Sequence, residues 1–222
     1  MRYILFVYGS IIGSFLTLMV ERIITNREFV WSRSQCDNCQ RTLSWFELIP
    51  IISFIVLRGK CQRCNVKLPY YLLIYEVMTG LLVSLYSMIP NSLLILAFCF
   101  EIISLFDLFT FKFNIYWLPI VFSLALWSTN LNLINLFLLL IIYVILLVIN
   151  SKLNWLGNGD LDLIICLILA CGLVTTIHII FYASFVALGY CLFRKTKVIP
   201  FIPFLANSLI VVLFIESFPV TM

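Results

Sequence analysis

Two aspartates at the ends of apolar stretches are the residues of this chain best suited to chemistry. Asp160 closes the Gly-Asn-Gly-Asp sequence at residues 157–160, where a short polar loop gives way to an apolar run that extends to His178. Asp107 lies at the end of another apolar run. Charged groups near hydrocarbon are costly and are seldom kept without a function, and the glycines allow the backbone to approach a substrate closely. We therefore take these two carboxylates as the candidate reactive pair.

A pair of carboxylates at one membrane face is suited to acid–base chemistry on a substrate held there. Two such groups can share one proton, so that one activates a water molecule while the other polarises a carbonyl, as in an aspartic protease. Asp160 would open its helix, where the helix dipole favours the ionised form, and Asp107 would close its helix, where the dipole favours the protonated form. This predicts Asp160 as the general base and Asp107 as the general acid. The alternative interpretation is that both are simple helix-end charges.

Four cysteines predict a metal site. Cys36 and Cys39 form one Cys-x-x-Cys pair, and Cys61 and Cys64 form a second pair after 21 intervening residues. Two such turns supply the four thiolates of a tetrahedral zinc site with no open coordination position, so we expect a structural zinc ion. Two disulfides are the alternative, but the basic residues of this segment favour a reducing, cytoplasmic location.

These groups belong to a chain whose composition indicates a membrane protein. It has 222 residues, 64% of them hydrophobic and 11% charged, with a mean hydropathy of +1.14. Repeated apolar runs of this kind predict an all-α polytopic membrane protein with about eight transmembrane helices. The boundary at His178 is the least marked, and a seven-span or re-entrant arrangement is the alternative. The expected spans are residues 3–20, 70–89, 92–110, 114–129, 134–150, 161–178, 179–193 and 199–218.

The distribution of charge predicts the topology in the cell membrane. With eight spans, every Lys and Arg except Arg2 lies on one side, which the positive-inside rule assigns to the cytoplasm. Both termini then face outward, and Asp107 and Asp160 both reach the cytoplasmic face.

This topology divides the chain into three parts. A first transmembrane helix at residues 1–20 precedes a cytoplasmic zinc-binding loop domain at 21–69, and a membrane-embedded catalytic core follows at 70–222. Residues 45–57 of the loop domain are apolar but too short to span a bilayer, so we expect them to lie in the membrane interface.

Several short stretches form a set of motifs along nearly the whole chain. These motifs are Gly-Ser-Phe-Leu at 13–16, Ser-Arg-Ser-Gln-Cys-Asp-Asn-Cys at 32–39, Leu-Ser-Trp-Phe-Glu-Leu-Ile-Pro at 43–50, Leu-Arg-Gly-Lys-Cys-Gln-Arg-Cys at 57–64, Tyr-Glu at 75–76, Gly-Asn-Gly-Asp at 157–160 and Pro-Phe-Ile-Pro-Phe-Leu at 200–205. Taken together, they resemble the motifs of the prepilin leader peptidases of type IV pilus, type II secretion and competence systems.

The resemblance implies a membrane aspartic endopeptidase with Asp107 and Asp160 as its dyad. Such an enzyme would remove a short basic leader from prepilins or pseudopilins at the cytoplasmic face, cutting after a glycine and before an apolar helix. Many members of the family also methylate the new N-terminus with S-adenosylmethionine, and the loop domain with Glu76 contains the candidate residues for that step. The implied partners are these substrates and the lipid bilayer, and no nucleic acid is expected.

Two departures from the family pattern lie near the expected site, and two other functions compete with the peptidase. Asp162 stands where a lysine commonly follows the signature aspartate, and Ile202 stands where a glycine is usual. The main alternative is an ion-coupled transporter component whose aspartates carry protons or cations, which would require carboxylates near mid-membrane. A membrane scaffold whose zinc loop docks a partner would explain the cysteines but not residues 157–160.

Overall fold

A computed structural model describes residues 1–27, 33–112, 114–129, 133–153, 157–195 and 199–217. Within these ranges the secondary structure consists of helices and two isolated β-bridges, with no β-strand. The prediction of an all-α protein is therefore confirmed for the described residues. The helices form two compact units, residues 1–87 and 88–222, which we treat separately. Ser32 and residue 218, which belong to a predicted motif and a predicted span, lie outside the described residues. The division by role at 1–20, 21–69 and 70–222 remains a prediction.

The first unit pairs two helices, α1 (Arg2–Ile24) and α3 (Tyr70–Ser84), which are linked by a loop region that contains the short helix α2 (Ile52–Val56). Glycines of α1 allow its backbone to lie directly against the backbone of α3. A Cβ at Gly9 of α1 would lie 2.6 Å from the Thr79 carbonyl oxygen, and one at Gly13 would collide with the same residue. This Gly-x-x-x-Gly spacing permits close helix pairing of the kind found in membranes.

The second unit contains six α-helices among the described residues. Five of them close a ring in which α4 packs on α5, α5 on α7, α7 on α8, α8 on α9 and α9 on α4, while α6 packs on α7. Side chains such as Phe100, Leu163 and Leu209 are completely buried in this unit. The helices are α4 (Asn91–Thr110), α5 (Leu118–Ser128), α6 (Leu133–Leu153), α7 (Asn158–Cys171), α8 (Leu173–Arg194) and α9 (Ile202–Ser217).

All of the described helices except α2 correspond in order to the predicted spans. Three of them, α1, α4 and α8, are long and apolar enough to cross a membrane by length and composition. Shorter apolar helical segments of 10–17 residues are formed by α3, by a 3-10 turn at Ile115–Trp117 together with α5, by part of α6, and by α9. The chain is therefore a helical membrane protein, and the number of its crossings remains a prediction.

One predicted helix boundary is wrong. The apolar pattern predicts two spans that meet at His178, whereas α7 ends at Cys171 and α8 runs without interruption from Leu173 through His178. The break lies at Gly172, whose φ of +85° is disfavoured for any residue with a side chain. A single glycine inside an apolar run is not a turn signal by itself, so hydropathy alone did not reveal this boundary.

Candidate active site and metal centre

Asp107 lies in the last turn of α4, which ends at Thr110. The residue is buried, with 7% of its surface exposed. Its carboxylate accepts a hydrogen bond from the backbone N–H of Ile202. Ile202 is the first residue of α9, so its N–H has no carbonyl partner within its own helix. This N–H belongs to the positive end of the helix dipole, which favours a negative charge nearby. The start of α9 therefore holds the Asp107 carboxylate.

Asp160 lies in the first turn of α7, whose N-terminal cap is Gly157. The two residues are joined twice, since the Gly157 N–H donates to the Asp160 carboxylate and the Asp160 N–H donates to the Gly157 carbonyl oxygen at 3.1 Å. A Cβ at position 157 would lie 3.2 Å from Asp160 Oδ2, which is closer than a relaxed non-bonded contact. Glycine is therefore the residue that allows this loop to close on its own aspartate.

The two aspartates belong to the same unit and interact with each other electrostatically. They come from different helices, and each lies in a terminal turn, Asp107 at the end of α4 and Asp160 at the start of α7. Neighbouring carboxylates of this kind can share a proton, which is the arrangement required for one group to activate water and the other to polarise a carbonyl. Both aspartates thus lie in terminal turns of the same unit, and their action as a catalytic pair remains a prediction.

The four predicted metal ligands converge in the first unit. The Sγ atoms of Cys36, Cys39, Cys61 and Cys64 all lie within 4.8 Å of one another, and those of Cys36 and Cys64 are 3.7 Å apart. All four are free thiols. Zinc–sulfur bonds of about 2.3 Å in a tetrahedron separate the sulfur atoms by about 3.8 Å, so this cluster has the dimensions of a zinc site.

Each Cys-x-x-Cys pair is folded into the same kind of turn. Gln40 donates its N–H to the Cys36 carbonyl oxygen at 2.8 Å, and Asn65 donates to the Cys61 carbonyl oxygen at 3.0 Å. Gln40 and Asn65 both adopt left-handed backbone conformations, with φ of 52° and 55°. The two turns are therefore structural copies of each other, and each presents two thiols to the shared centre.

Hydrogen bonds in the second turn favour the thiolate form that a metal requires. The backbone N–H groups of Cys64 and Arg63 donate to the Cys61 sulfur and lower the pKa of Cys61. The backbone N–H of Val66, followed by the Asn38 side chain, lowers the pKa of Cys64 to about 6. Because zinc binds thiolates rather than thiols, these donors prepare the turn for a metal ion.

Glu76, the residue suggested for methyl transfer, is buried on α3 with 8% of its surface exposed. Its Oε2 accepts a hydrogen bond from the backbone N–H of Ile51 at 2.7 Å. Ile51 has a φ of +62°, which is unfavourable for a β-branched residue, so Glu76 stabilises a strained turn just before α2. Glu76 also lines a cavity of about 300 Å³ that reaches from α1 and α3 to the cysteine turns. Its role in binding a methyl donor remains a prediction.

Two contacts at the site were not predicted. The Ile202 N–H acts through the backbone, so its residue type carries no signal, although Pro200 and Pro203 mark the neighbourhood of a helix start. Tyr143 donates its hydroxyl to Asp162 Oδ1 at 2.5 Å, and Tyr143 lies in an apolar run where it was interpreted only as part of a span. A tyrosine facing an intramembrane acid is the signal that would have revealed this pair.

Comparison with known proteins connects the first unit with one family. Residues 7–89 match the family described as Bacterial Peptidase A24 N-terminal domain. This match contains the four cysteines and Glu76 and ends before Asp107. No solved structure matches the chain.

Several relatives carry names that refer to prepilin processing. A prepilin leader peptidase/N-methyltransferase of Myxococcus xanthus is 38% identical over 78 residues, which are 35% of this chain and 23% of that protein. A protein of the same name from Bacillus subtilis is 39% identical over 82 residues, 37% of this chain and 33% of that one. A type 4 prepilin-like proteins leader peptide-processing enzyme of Escherichia coli is 28% identical over 145 residues, 54% of this chain and 52% of that protein. The chain thus spans about a quarter to a half of the length of these relatives.

Proposed function

We propose that this chain is a type IV prepilin leader peptidase, an aspartic endopeptidase that removes the short basic leader from prepilins or pseudopilins. Its residues 7–89 match the peptidase A24 N-terminal domain, and relatives over the same region carry that name. The reaction takes place at the cytoplasmic face of the cell membrane, and both termini of the chain lie on the opposite side. The names of the relatives support the substrate class, and the distribution of Lys and Arg supports the sidedness.

The placement of Asp107 and Asp160 in terminal turns of one unit, close enough for the charge of Asp160 to act on Asp107, is the observation that carries this proposal. One carboxylate accepts a proton from water while the other, in its protonated form, donates a hydrogen bond to the scissile carbonyl and stabilises the charge that develops on it. The negative end of the α4 dipole favours the protonated form of Asp107, whereas the Ile202 N–H favours its ionised form, so the two effects oppose each other. We therefore assign the shared proton to the pair, with Asp160 as the preferred general base.

The positions of the aspartates argue against the transporter alternative. A transporter binds ions near mid-membrane, at the broken ends of discontinuous helices. Asp107 and Asp160 instead lie in terminal turns of two continuous helices, three residues before the end of α4 and two residues after the start of α7. A polar leader that is joined to an apolar helix presents its cleavable bond at this level of the membrane.

We further propose that Cys36, Cys39, Cys61 and Cys64 hold a structural zinc ion, which fixes two turns in a loop region without a large apolar core. The sulfur spacing supports this assignment. We also propose that the chain methylates the new N-terminus of the pilin with S-adenosylmethionine, which supplies the methyl group. The cavity lined by Glu76 and the names of the relatives support this second activity.

A cleavage assay in membranes tests the peptidase proposal. The protein is co-expressed with a prepilin-like substrate, and the substrate N-terminus is determined by mass spectrometry for wild type, Asp107→Asn and Asp160→Asn. Glu216→Gln is the matched control, because Glu216 is an exposed acid at the end of α9 in the same unit. We expect leader removal by wild type and Glu216→Gln and none by the two aspartate variants. An intact leader with wild type for several pilin-like substrates, or cleavage by Asp160→Asn, would contradict the proposal.

The same spectrum reports on methylation. A product N-terminus that carries one additional methyl group supports the second activity, whereas a product that is cut but never methylated contradicts it. Glu76→Gln separates the two activities, because Glu76 belongs to the first unit and the aspartates belong to the second. We expect this variant to remove the leader at the wild-type rate but to methylate the product poorly.

A further inference from the structure

Two side-chain hydrogen bonds join α6 to α7 close to Asp160. Near the loop between these helices, Asn150 Nδ2 donates to Asn158 Oδ1 at 3.1 Å. Further into the helices, the Tyr143 hydroxyl donates to Asp162 Oδ1 at 2.5 Å. The order of the pairs is reversed between the helices, as expected for an antiparallel hairpin.

The helical repeat sets the relation of these bonds to the reactive carboxylate. Asn158 and Asp162 are four residues apart and therefore lie on the same face of α7, while Asp160 lies between them on nearly the opposite face. Tyr143 and Asn150 are seven residues apart and share one face of α6 in the same way. The two bonds thus hold the back of the helical turn from which Asp160 projects.

The surroundings of the Tyr143–Asp162 bond are almost entirely apolar. Both residues line a cavity of about 310 Å³ between α5, α6 and α7, whose other lining residues are leucine, isoleucine, phenylalanine and cysteine. A carboxylate in such a place has little access to water, so a hydroxyl donor is a strong partner and its loss is not easily replaced. Hydrogen bonds between helices are among the forces that hold membrane helices together, because apolar side chains gain little by leaving lipid.

We propose that Tyr143 and Asp162 are positioning residues that clamp α7 against α6 and thereby fix the turn that carries Asp160. The proposal rests on the proposed function of Asp160 as part of the reactive pair. Asp160 itself is bound by the Gly157 N–H, which belongs to the loop before α7, so the direction of its side chain depends on how firmly the start of α7 is held. The clamp acts through the helix and does not require either residue to touch the substrate.

Three single variants and one double variant distinguish this clamp from a direct role of the Asp162 charge. Tyr143→Phe removes only the hydroxyl donor, and Asp162→Ala removes only the acceptor. Asp162→Asn removes the charge but keeps the oxygen that accepts the bond. The double variant Tyr143→Phe/Asp162→Ala tests whether the two residues act through one shared bond. Tyr182→Phe on α8 is the matched control for loss of a tyrosine hydroxyl.

We expect Tyr143→Phe and Asp162→Ala each to lower kcat for leader removal by about 10-fold with KM nearly unchanged, as for a small displacement of a reacting group. The double variant should be no slower than either single variant, and Asp162→Asn and Tyr182→Phe should retain most of the wild-type rate. A loss with Asp162→Asn equal to that with Asp162→Ala, together with a normal Tyr143→Phe, would overturn the clamp and assign the charge to substrate binding. Additive losses in the double variant would overturn it as well.

Amide hydrogen exchange provides a readout that does not depend on cleavage. The Asp160 and Leu161 N–H groups both donate to the Gly157 carbonyl oxygen, at 3.1 and 3.3 Å, so they report on the order of this turn. We expect exchange across residues 157–163 to be faster in Tyr143→Phe than in wild type or Tyr182→Phe. Unchanged exchange would refute the clamp even if cleavage fell. Faster exchange in a chain that cuts no prepilin would instead retain the clamp and refute the proposed function.

Discussion

The contact between Gly157 and Asp160 allows a substitution that separates activity from stability. In Gly157→Ala the new Cβ would lie 3.2 Å from Asp160 Oδ2 and 3.7 Å from its Cγ. The backbone of Gly157 has φ of −62° and ψ of 140°, which alanine adopts without strain. The substitution therefore disturbs the position of the carboxylate and leaves the backbone unchanged.

Gly157→Ala is expected to raise the stability of the protein slightly and to lower its rate of cleavage. A compatible glycine-to-alanine substitution reduces the freedom of the unfolded chain, so the free energy of unfolding should stay level or rise by about 0.4–1 kcal/mol. The carboxylate must move by about 0.3 Å to reach a relaxed contact. Because a displacement of about 1 Å costs about 100-fold in rate, a logarithmic scale predicts a loss of about 4-fold, and a larger loss if the Gly157 N–H bond also breaks.

The assay compares leader removal and thermal unfolding in the same purified variants. Gly189→Ala is the matched control, because Gly189 lies within α8 and a Cβ there would meet no atom within 4 Å. We expect Gly189→Ala to keep the wild-type rate and to be slightly more stable. We expect Gly157→Ala to cut more slowly at unchanged or higher Tm. A wild-type rate for Gly157→Ala, or a rate that falls only in step with Tm, would refute this account of the contact.

Three further predictions concern the first unit. Purified protein should contain about one zinc ion per chain by elemental mass spectrometry, and Cys64→Ser should lower both this content and Tm; wild type without zinc would exclude the metal. Burial opposes ionisation of Glu47, but hydrogen bonds from Ser44 and Arg41 outweigh it and lower the pKa of Glu47. Wild type should therefore lose stability as the pH falls from the unfolded value of about 4.3 through the lower folded pKa. Arg41→Ala should cost about 2 kcal/mol at pH 7, because the Ser44 donors to Glu47 remain, and should weaken this acid dependence; an unaltered unfolding curve would contradict the ion pair. Trp45 is 78% exposed, so in a variant with no other tryptophan its fluorescence should be quenched by brominated lipids, and emission insensitive to bromine would contradict interfacial placement of residues 45–57.

The parts of the molecule that were predictable are those in which residue type itself carries the signal. Thiols at two Cys-x-x-Cys spacings indicated a four-ligand site, and the structure brings these cysteines together. Long apolar runs indicated helices, because an apolar run of that length can satisfy its backbone in a membrane only in that way. Asp107 and Asp160 were paired because both lie at the ends of such runs; the structure has both in terminal turns of one unit, and their joint action stays a prediction.

The parts that were not predictable depend on backbone geometry or on contacts between distant segments. The break at Gly172 was assigned to His178, because a φ of +85° leaves no mark in hydropathy. The donor to Asp107 is a main-chain N–H of Ile202, which any residue except proline would supply. The bond between Tyr143 and Asp162 required the register of α6 on α7, which no single helical pattern contains.

Cleavage by purified protein in liposomes tests the central claim most directly. The substrate is a synthetic prepilin segment with a basic leader, a glycine and an apolar helix, and its products are identified by mass spectrometry. We predict a single cut after the glycine with wild type and no product with either Asp107→Asn or Asp160→Asn, when both variants match the wild type in zinc content and Tm. Substantial cleavage by a folded variant that lacks either carboxylate would contradict the aspartate pair as the origin of the activity.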